Sequence, residues 1–365
     1  MKVPPLKKWA PRAQSQFLSK PAVLAMLILM IAALMAVLPA CGRRTETPAG
    51  SPVSQNPEPG AGEPPADMPE EPQAELSPLT GLPMVSPGSP VTVAIDNNPS
   101  ARPQTGLNEA DIVYEIPAEG GITRFLALFH SRSPEVVGPV RSSRPYLALL
   151  AREWGAVFGH CGGDPELDRY INEWKVVDAN EFRLGHLFWR DKTRSMPHNL
   201  YTSVENLRKV PSEELPAPSQ RYEFKEWSKE PEAGISIRFG KSYAVEYRLA
   251  EGGYNRYVLE GSRGEPVLHV DRDTGEPVLA SNIIVQYAQM RVIDSEGRLD
   301  IQMVGSGKAA YLLGGTYQEG TWEKKGVSEP TMFYNAQGER ISLAPGQTWI
   351  HIVSPDAGVS LLKPN

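Results

Sequence analysis

Two arginines enclose two serines in the segment GPVRSSRPY, Gly138 to Tyr146. Pro145 is a residue favoured at the first position of a helix, so the serines and Arg144 would lie at a helix N-terminus. Free backbone N–H groups at such a terminus favour an anion. Arg141 and Arg144 can add charge-assisted hydrogen bonds to a carboxylate or a phosphate. The segment therefore predicts a site for an anionic ligand.

Both arginines also have a structural interpretation. Arginine in an acidic protein often pairs with a carboxylate of the same domain, and such a pair binds no ligand. The acids considered as internal partners are Asp111, Glu115 and Asp164.

Two glycines follow a histidine and a cysteine in GHCGGDP, Gly159 to Pro165. Glycines between a strand and a helix let the backbone approach a ligand closely. The segment lacks the full G-x-G-x-x-G pattern and therefore indicates no dinucleotide. His160 and Cys161 are neighbours in a strand and point to opposite faces, so they form no nucleophile and base pair. We expect Cys161 to be a small core residue.

A third polar segment, WRDKTRSMPHN, runs from Trp189 to Asn199. Polar loops of this kind either carry function on a rigid scaffold or are ordinary solvated connections. If all three segments open on one edge of a parallel sheet, their side chains meet in a crevice, the usual ligand position in open α/β sheets. The predicted ligand-binding residues are Arg141, Ser142, Ser143, Arg144, His160, Gly162, Gly163, Arg190, His198 and Asn199.

Metal and cofactor sites are not predicted. The six histidines are scattered, and the sequence contains no HExxH or CxxC pattern. The segment GSGK, Gly305 to Lys308, lacks the upstream glycine of a P-loop and has Ala309 where a serine or threonine is required. DSEGRLD, Asp294 to Asp300, lacks the ligands of a calcium loop and indicates a hairpin turn.

The first forty residues have the pattern of an export signal. Five basic residues and no acid precede the uncharged run PAVLAMLILMIAALMAVLPA. The run ends in Leu38-Pro39-Ala40-Cys41, which fits a bacterial lipobox, so Cys41 is the predicted lipidation site. We therefore expect a lipid-anchored protein of the cell membrane that faces the extracytoplasmic side. The alternative is an uncleaved transmembrane anchor, because about twenty apolar residues can span a bilayer.

Charge limits the classes of partner. Removal of residues 1–40 takes five of the 37 basic residues and none of the 43 acidic ones, which leaves a net charge of −11. An acidic body argues against nucleic acid as a partner. The predicted partners are the membrane, through the N-terminal lipid, and an anionic cell-wall polymer or an envelope protein held by a local basic spot. Residues 42–78 contain nine prolines and no aromatic residue and are interpreted as a disordered tether.

The remaining sequence predicts an α+β protein. Residues 79–215 alternate strand and helix signals and predict a layered α/β domain. Residues 216–232 are interpreted as a linker, and 233–365 predict a mainly antiparallel β domain with glycine turns. Helices are expected at Pro145 and Pro165 and after a capping box formed by Thr202 and Glu205.

Several motifs resemble the YerB-like family of bacterial lipoproteins. They are IDNNPSARPQTGLNEADIVYE, GGITRFLALF, GPVRSSRPY and PHNLYTS in the first half, and RVIDSEGRLDIQMVGSGKA, GTWEKK and PGQTWIHIV in the second. The resemblance covers nearly all of the chain after the tether. It implies a two-domain lipoprotein without an established biochemical role.

We expect a non-catalytic binding or scaffolding protein of the cell envelope. The competing hypothesis is a hydrolase or transferase that acts on envelope glycans, with His160 or His198 as base and Asp96, Glu109 or Asp111 nearby. A third possibility is that the β domain docks an assembly partner while the first half supports it.

Overall fold

The computed structural model describes residues 75–211, 221–261 and 264–363. The predicted signal peptide (1–40), the lipidation site Cys41 and the tether up to residue 74 lie outside these residues. Residues 216–220 of the predicted linker lie outside them as well.

Strands dominate the described residues, of which 42% are in strands and 12% in helices. The strands are β1 (Val91–Asp96), β2 (Ile112–Pro117), β3 (Thr123–Phe129), β4 (Val157–His160), β5 (Val177–Asn180), β6 (Phe188–Arg190), β7 (Leu200–Thr202), β8 (Glu223–Phe224), β9 (Gly234–Arg238), β10 (Tyr243–Ala250), β11 (Gly253–Glu260), β12 (Val267–Leu268), β13 (Leu279–Ala280), β14 (Asn282–Tyr287), β15 (Met290–Val292), β16 (Leu299–Ile301), β17 (Gly305–Leu313), β18 (Thr316–Lys324), β19 (Met332–Asn335), β20 (Ser342–Leu343), β21 (Thr348–Val353) and β22 (Gly358–Leu361).

The helices of the described residues are short. They are α1 (Pro145–Glu153), α2 (Leu167–Trp174) and α3 (Val204–Arg208), with 3-10 turns at Pro99–Ala101, Leu107–Glu109, Glu119–Gly121 and Gly185–Leu187. Helix α1 begins at Pro145, as predicted. Helix α2 begins two residues after Pro165. The predicted cap of α3 is wrong, because Ser203 accepts the hydrogen bond from the N–H group of Asn206 and Thr202 belongs to β7.

The main sheet contains strands from both halves of the chain. Its ten strands follow the order β19-β18-β17-β14-β21-β2-β3-β1-β4-β5. Strand β21, near the end of the chain, lies parallel to both β14 and β2. The prediction of an α+β protein with an N-terminal layered α/β domain is therefore wrong, and the protein is mostly β.

Strand pairing explains this difference. Strands β2 and β3 form an antiparallel hairpin, closed where the N–H group of Ala118 donates to the carbonyl of Ile122. Among the described residues of the first half, the strands that pair in parallel with one another are β1, β4 and β5. Alternation of strand and helix signals indicates local elements but does not reveal that β2 pairs with a strand more than 200 residues later.

A six-stranded sheet covers one face of the main sheet. Strands β12-β11-β10-β9-β22 form its path, and β13 pairs with β11. Its apolar side chains and those of α3 share a core with one face of the main sheet. Helices α1 and α2 cover the opposite face and form the second core.

A buried polar network joins the two sheets. Glu115 of β2 and Arg256 of β11 form an ion pair of 2.8 Å between Oε2 and Nη2, and both side chains are fully buried. Burial by itself raises the pKa of Glu115, but Arg256, His351 and Tyr243 together outweigh this effect and hold the pKa well below its ordinary value. Tyr243 donates to Glu115 Oε1 at 2.6 Å, and His351 Nδ1 lies 3.2 Å from Oε2.

We predict that Glu115→Gln lowers the free energy of unfolding by about 3–5 kcal/mol, because it leaves the buried Arg256 without a counter-charge. Urea unfolding followed by circular dichroism measures the change. The matched control is Glu173→Gln, which removes one partner of the exposed pair with Arg169 and should cost at most about 1 kcal/mol. Equal losses in the two variants would contradict the role assigned to the buried pair.

Candidate functional site

Three parallel strands end side by side at one edge of the main sheet, namely β1, β4 and β5. Residues 138–144 cross this edge. The N–H group of Arg141 donates to the carbonyl of Ala94 at 2.8 Å, and the carbonyl of Arg141 accepts from the N–H group of Cys161 at 3.1 Å. Carboxyl ends of parallel strands are common ligand positions. We call this region the strand-end site.

Asp96 lies at the centre of the strand-end site and is buried. Its Oδ2 is 2.8 Å from Nδ1 of His198 and 3.3 Å from Nε of Arg141. Its Oδ1 accepts a hydrogen bond of 3.0 Å from the N–H group of Asn98. Because an ionised carboxylate only accepts, Nδ1 of His198 carries the proton in this contact. The Arg141 side chain remains 31% exposed.

Arg144 is held by an internal acid. Its Nε and Nη2 donate to the two carboxylate oxygens of Glu119, the second at 2.8 Å. The side chain of Arg144 is 13% exposed. Burial raises the pKa of Glu119, but the hydrogen bond and charge of Arg144, together with a backbone hydrogen bond and the charge of Arg124, outweigh it and lower the pKa. The structure thus places Arg144 in an ion pair with Glu119, which was not among the acids considered from the sequence.

A third arginine, Arg124 of β3, lies beneath the same segment. Its Nη1 donates to the carbonyl and hydroxyl oxygens of Ser142 at 2.6 and 3.0 Å. Its Nε is buried without a partner, and its Nη2 is 3.8 Å from Glu119. Burial, followed by repulsion from Arg144, lowers the pKa of Arg124 to about 10.

The arginine cluster carries more positive than negative charge. Three guanidinium groups meet two carboxylates, which leaves one positive charge in excess before His198 is considered. Its members are Arg124, Arg141, Arg144, Asp96 and Glu119.

His160, Gly162 and Gly163 contact other parts of the protein. His160 is buried, with Nδ1 2.8 Å from the carbonyl of Gly162 and Nε2 2.6 Å from Oδ1 of Asp178. Gly162 has φ +63°, and a Cβ at Gly163 would lie 2.9 Å from the carbonyl oxygen of Ser143. Both nitrogens of His160 and the space beside Gly163 are therefore occupied by the protein itself.

Four polar side chains flank the site on the side of β5. The thiol of Cys161 donates to Oε2 of Glu181 at 3.4 Å, and Oε1 of Glu181 is 3.5 Å from Nη2 of Arg190. Nη1 of Arg190 donates to Oδ1 of the buried Asn199 at 3.0 Å. Arg190 is partly exposed and supplies a second accessible guanidinium.

The histidines and acids considered for catalysis do not all lie in one place in the structure. Asp96 and His198 come together, whereas His160 is paired with Asp178. Asp111 precedes β2, and its Oδ2 accepts from the N–H group of His130 at 2.7 Å. Glu109 lies in the 3-10 turn before it, where burial raises its pKa.

Sequence reasoning missed several residues of this region. Glu119 and Arg124 belong to the β2–β3 hairpin, and Asp178 and Glu181 pair with His160 and Arg190. Phe182, a residue that is 74% exposed, packs against Gly162. The signal for Arg124 was available: a charged residue within the apolar run of TRFLALF requires a buried partner.

Family comparisons cover both halves of the chain. A model described as "Protein of unknown function (DUF3048) N-terminal domain" matches residues 79–217, and the corresponding C-terminal domain matches residues 235–350. The chain belongs to the DUF3048 family.

Relatives of this DUF3048 protein include "Putative lipoprotein YerB" of Bacillus subtilis (strain 168). It is 34% identical over 308 residues, which cover 81% of this chain and 91% of the relative. The crystal structure of the YerB protein from Bacillus subtilis superposes with a TM-score of 0.69 at 34% identity and covers 78% of this chain and 99% of that chain. The resemblance to YerB-like lipoproteins is confirmed.

Across the part of the DUF3048 chain that the structure describes, no helix is both long and apolar enough to cross a membrane. Within the same residues, no three His, Cys, Asp or Glu side chains form a group able to hold a metal ion.

We predict that Cys161 is a slow nucleophile at neutral pH. Burial, and then the charge of Glu181, raise the pKa of its thiol to about 11, so the thiolate is scarce near pH 7. Alkylation by iodoacetamide, followed by mass spectrometry of the Cys161 peptide, should accelerate up to about pH 11. Glu181→Gln should move this rise to lower pH. A rate that levels off near the ordinary thiol value of about 8.5 would refute the prediction.

Proposed function

We propose that this DUF3048 protein is a lipid-anchored envelope protein that binds an anionic group through the strand-end site without catalysing a reaction. Cys41 carries the lipid in this proposal, and the folded body faces the extracytoplasmic side. The ligand is a carboxylate or phosphate of a cell-wall polymer, and an envelope protein that presents the same group is the alternative partner.

Two observations support the proposed extracytoplasmic, lipid-anchored localisation. The sequence has a charged start, an apolar run and the lipobox-like Leu38-Pro39-Ala40-Cys41. The Bacillus subtilis relative carries the description of a putative lipoprotein.

The ligand class is supported by one feature, the excess of guanidinium groups at the strand-end site. Arg124 has a buried Nε without a partner, and Arg141 is partly exposed although Asp96 lies 3.3 Å away. An anion beside Arg141 would balance the surplus charge in a protein that is acidic elsewhere. Arg190 and His198 supply further donors at the rim.

The role of Arg144 changes in this proposal from the one expected from the sequence. The guanidinium group of Arg144 is bound to Glu119 through Nε and Nη2. Arg144 therefore does not contact the ligand in this proposal but supports the segment that carries Arg141. Ser143 and the double glycine have the same supporting role, because their backbones hydrogen-bond one another.

We predict that Arg141→Gln weakens binding of inorganic phosphate and of soluble wall fragments by about tenfold or more, because one charge-assisted contact is lost. Isothermal titration of the full chain in detergent gives the affinities. Added salt should weaken wild-type binding, since an exposed charge contact is screened.

The matched control for Arg141→Gln is Arg169→Gln, which changes an exposed arginine of α2 paired with Glu166 and Glu173. It should bind like the wild type. If both variants keep the wild-type affinity, Arg141 is not the ligand-binding cation.

A second function is favoured by the contact between His198 and Asp96. A histidine oriented by a buried carboxylate is the arrangement of a general base, so a hydrolase or transferase acting on envelope glycans is the alternative. Cys161 is not part of it, because the raised pKa keeps its thiol protonated.

Incubation with purified wall glycans separates the two functions. In the catalytic alternative, the wild type releases reducing ends and His198→Asn abolishes the release, while the exposed His186→Asn keeps it. In the binding proposal, the wild type releases none, and His198→Asn alters only affinity. Liquid chromatography of the soluble products measures the outcome.

A further inference from the structure

A groove of about 880 Å³ crosses β17, β18 and β19 at the far end of the main sheet. Strand β17 is five strand positions from β1, which corresponds to about 24 Å at the usual strand spacing. The groove is therefore separate from the strand-end site. The segment GSGK, which has no P-loop role, lines it through Ser306, Gly307 and Lys308.

The groove lies on a part of the sheet that the smaller sheet leaves open. Ser306, Lys308 and Ala310 alternate along β17, so they share one face. Ala310 belongs to the core beneath the smaller sheet, whereas Ser306 and Lys308 are exposed. Pro355 and Ala357, from the loop between β21 and β22, form a wall.

The lining presents many unused hydrogen-bonding groups. Five of its side chains have no hydrogen-bond or ion-pair partner among the described residues, and they are Gln289, Gln302, Ser306, Lys308 and Thr321. Together they offer both donors and acceptors. Lys308 and Glu319 contribute one charge of each sign, so the groove has no net charge.

One aromatic side chain, that of Tyr287, lies on the groove face of the sheet. Nε1 of Trp322, whose ring is buried on the opposite face, donates to the carbonyl of Tyr287 at 2.8 Å and holds the backbone of β14 at this point. Tyr287 is half-buried, and burial followed by the charge of Glu319 raises its pKa, so its hydroxyl stays protonated. Tyr287 thus offers a flat apolar ring beside a polar hydroxyl.

These features select a ligand with many neutral donors and acceptors. An anion would gain from Lys308 but be repelled by Glu319, and a cation would meet the reverse. A sugar chain uses donors, acceptors and a ring face at once. We propose that the groove binds an uncharged stretch of a glycan strand, at a site independent of the anion contact at Arg141.

The full chain in detergent is titrated by calorimetry with chitotetraose, the linear tetramer of N-acetylglucosamine. The double variant Lys308→Ala with Gln302→Ala should bind about tenfold or more weakly, because two hydrogen bonds of roughly fivefold each are lost. Circular dichroism verifies that the variant is folded.

Matched controls lie on the same hairpin outside the groove. Thr316→Ala and Lys325→Ala should bind the sugar like the wild type, and so should Arg141→Gln. The groove variant should in turn bind phosphate with the affinity of the wild type. The experiment therefore tests the sugar site and the anion site independently. The inference is overturned if the wild type does not bind chitotetraose, or if the groove variant binds it unchanged. Binding of phosphate that is lost with Lys308→Ala, in the absence of sugar binding, also overturns it.

Discussion

The ion pair between Glu115 and Arg256 is the contact on which the arrangement of the two sheets depends. Both groups are removed from water, and each would cost several kcal/mol without the other, so the sheets cannot slide or separate without exposing an unpaired charge. The same contact extends to the strand-end site. Arg256 donates to His269, His269 to Gln104, and Gln104 to the carbonyl of Asp96, at 2.7, 2.7 and 2.9 Å. The backbone of Asp96, whose carboxylate faces Arg141, is therefore tied to residues of the C-terminal half.

Local elements could be read from the sequence where a backbone constraint marks them. Pro145 fixes the start of α1, and the double glycine Gly120-Gly121 marks the turn of the β2–β3 hairpin. The fold class could not be read, because it is decided by the pairing of β21 with β2 and β14. The hydrophobic periodicity of a strand does not indicate which distant strand it pairs with. The first half therefore looked like a self-contained layered domain although its sheet continues into the second half.

The candidate site was predictable in place but not in detail. Of the three segments, only residues 159–165 follow a parallel strand of the main sheet. Residues 138–144 cross the strand ends, and the 189–199 loop belongs to the separate β6–β7 sheet and reaches the site through His198. Which arginine faces outward depends on Glu119, a residue 25 positions before Arg144 in another hairpin. The burial of His160 likewise depends on Asp178 of the neighbouring strand. Side-chain pairing across strands is tertiary information, and spacing along the chain does not contain it.

The position of β21 has a consequence for biosynthesis. This strand is made almost last, at residues 348–353, yet it fills the slot between β2 and β14 in the middle of the main sheet. Strand β2 therefore has β3 as a partner early but lacks its second neighbour until β21 emerges. The middle of the main sheet can therefore close only when nearly the whole length of the chain is available to fold.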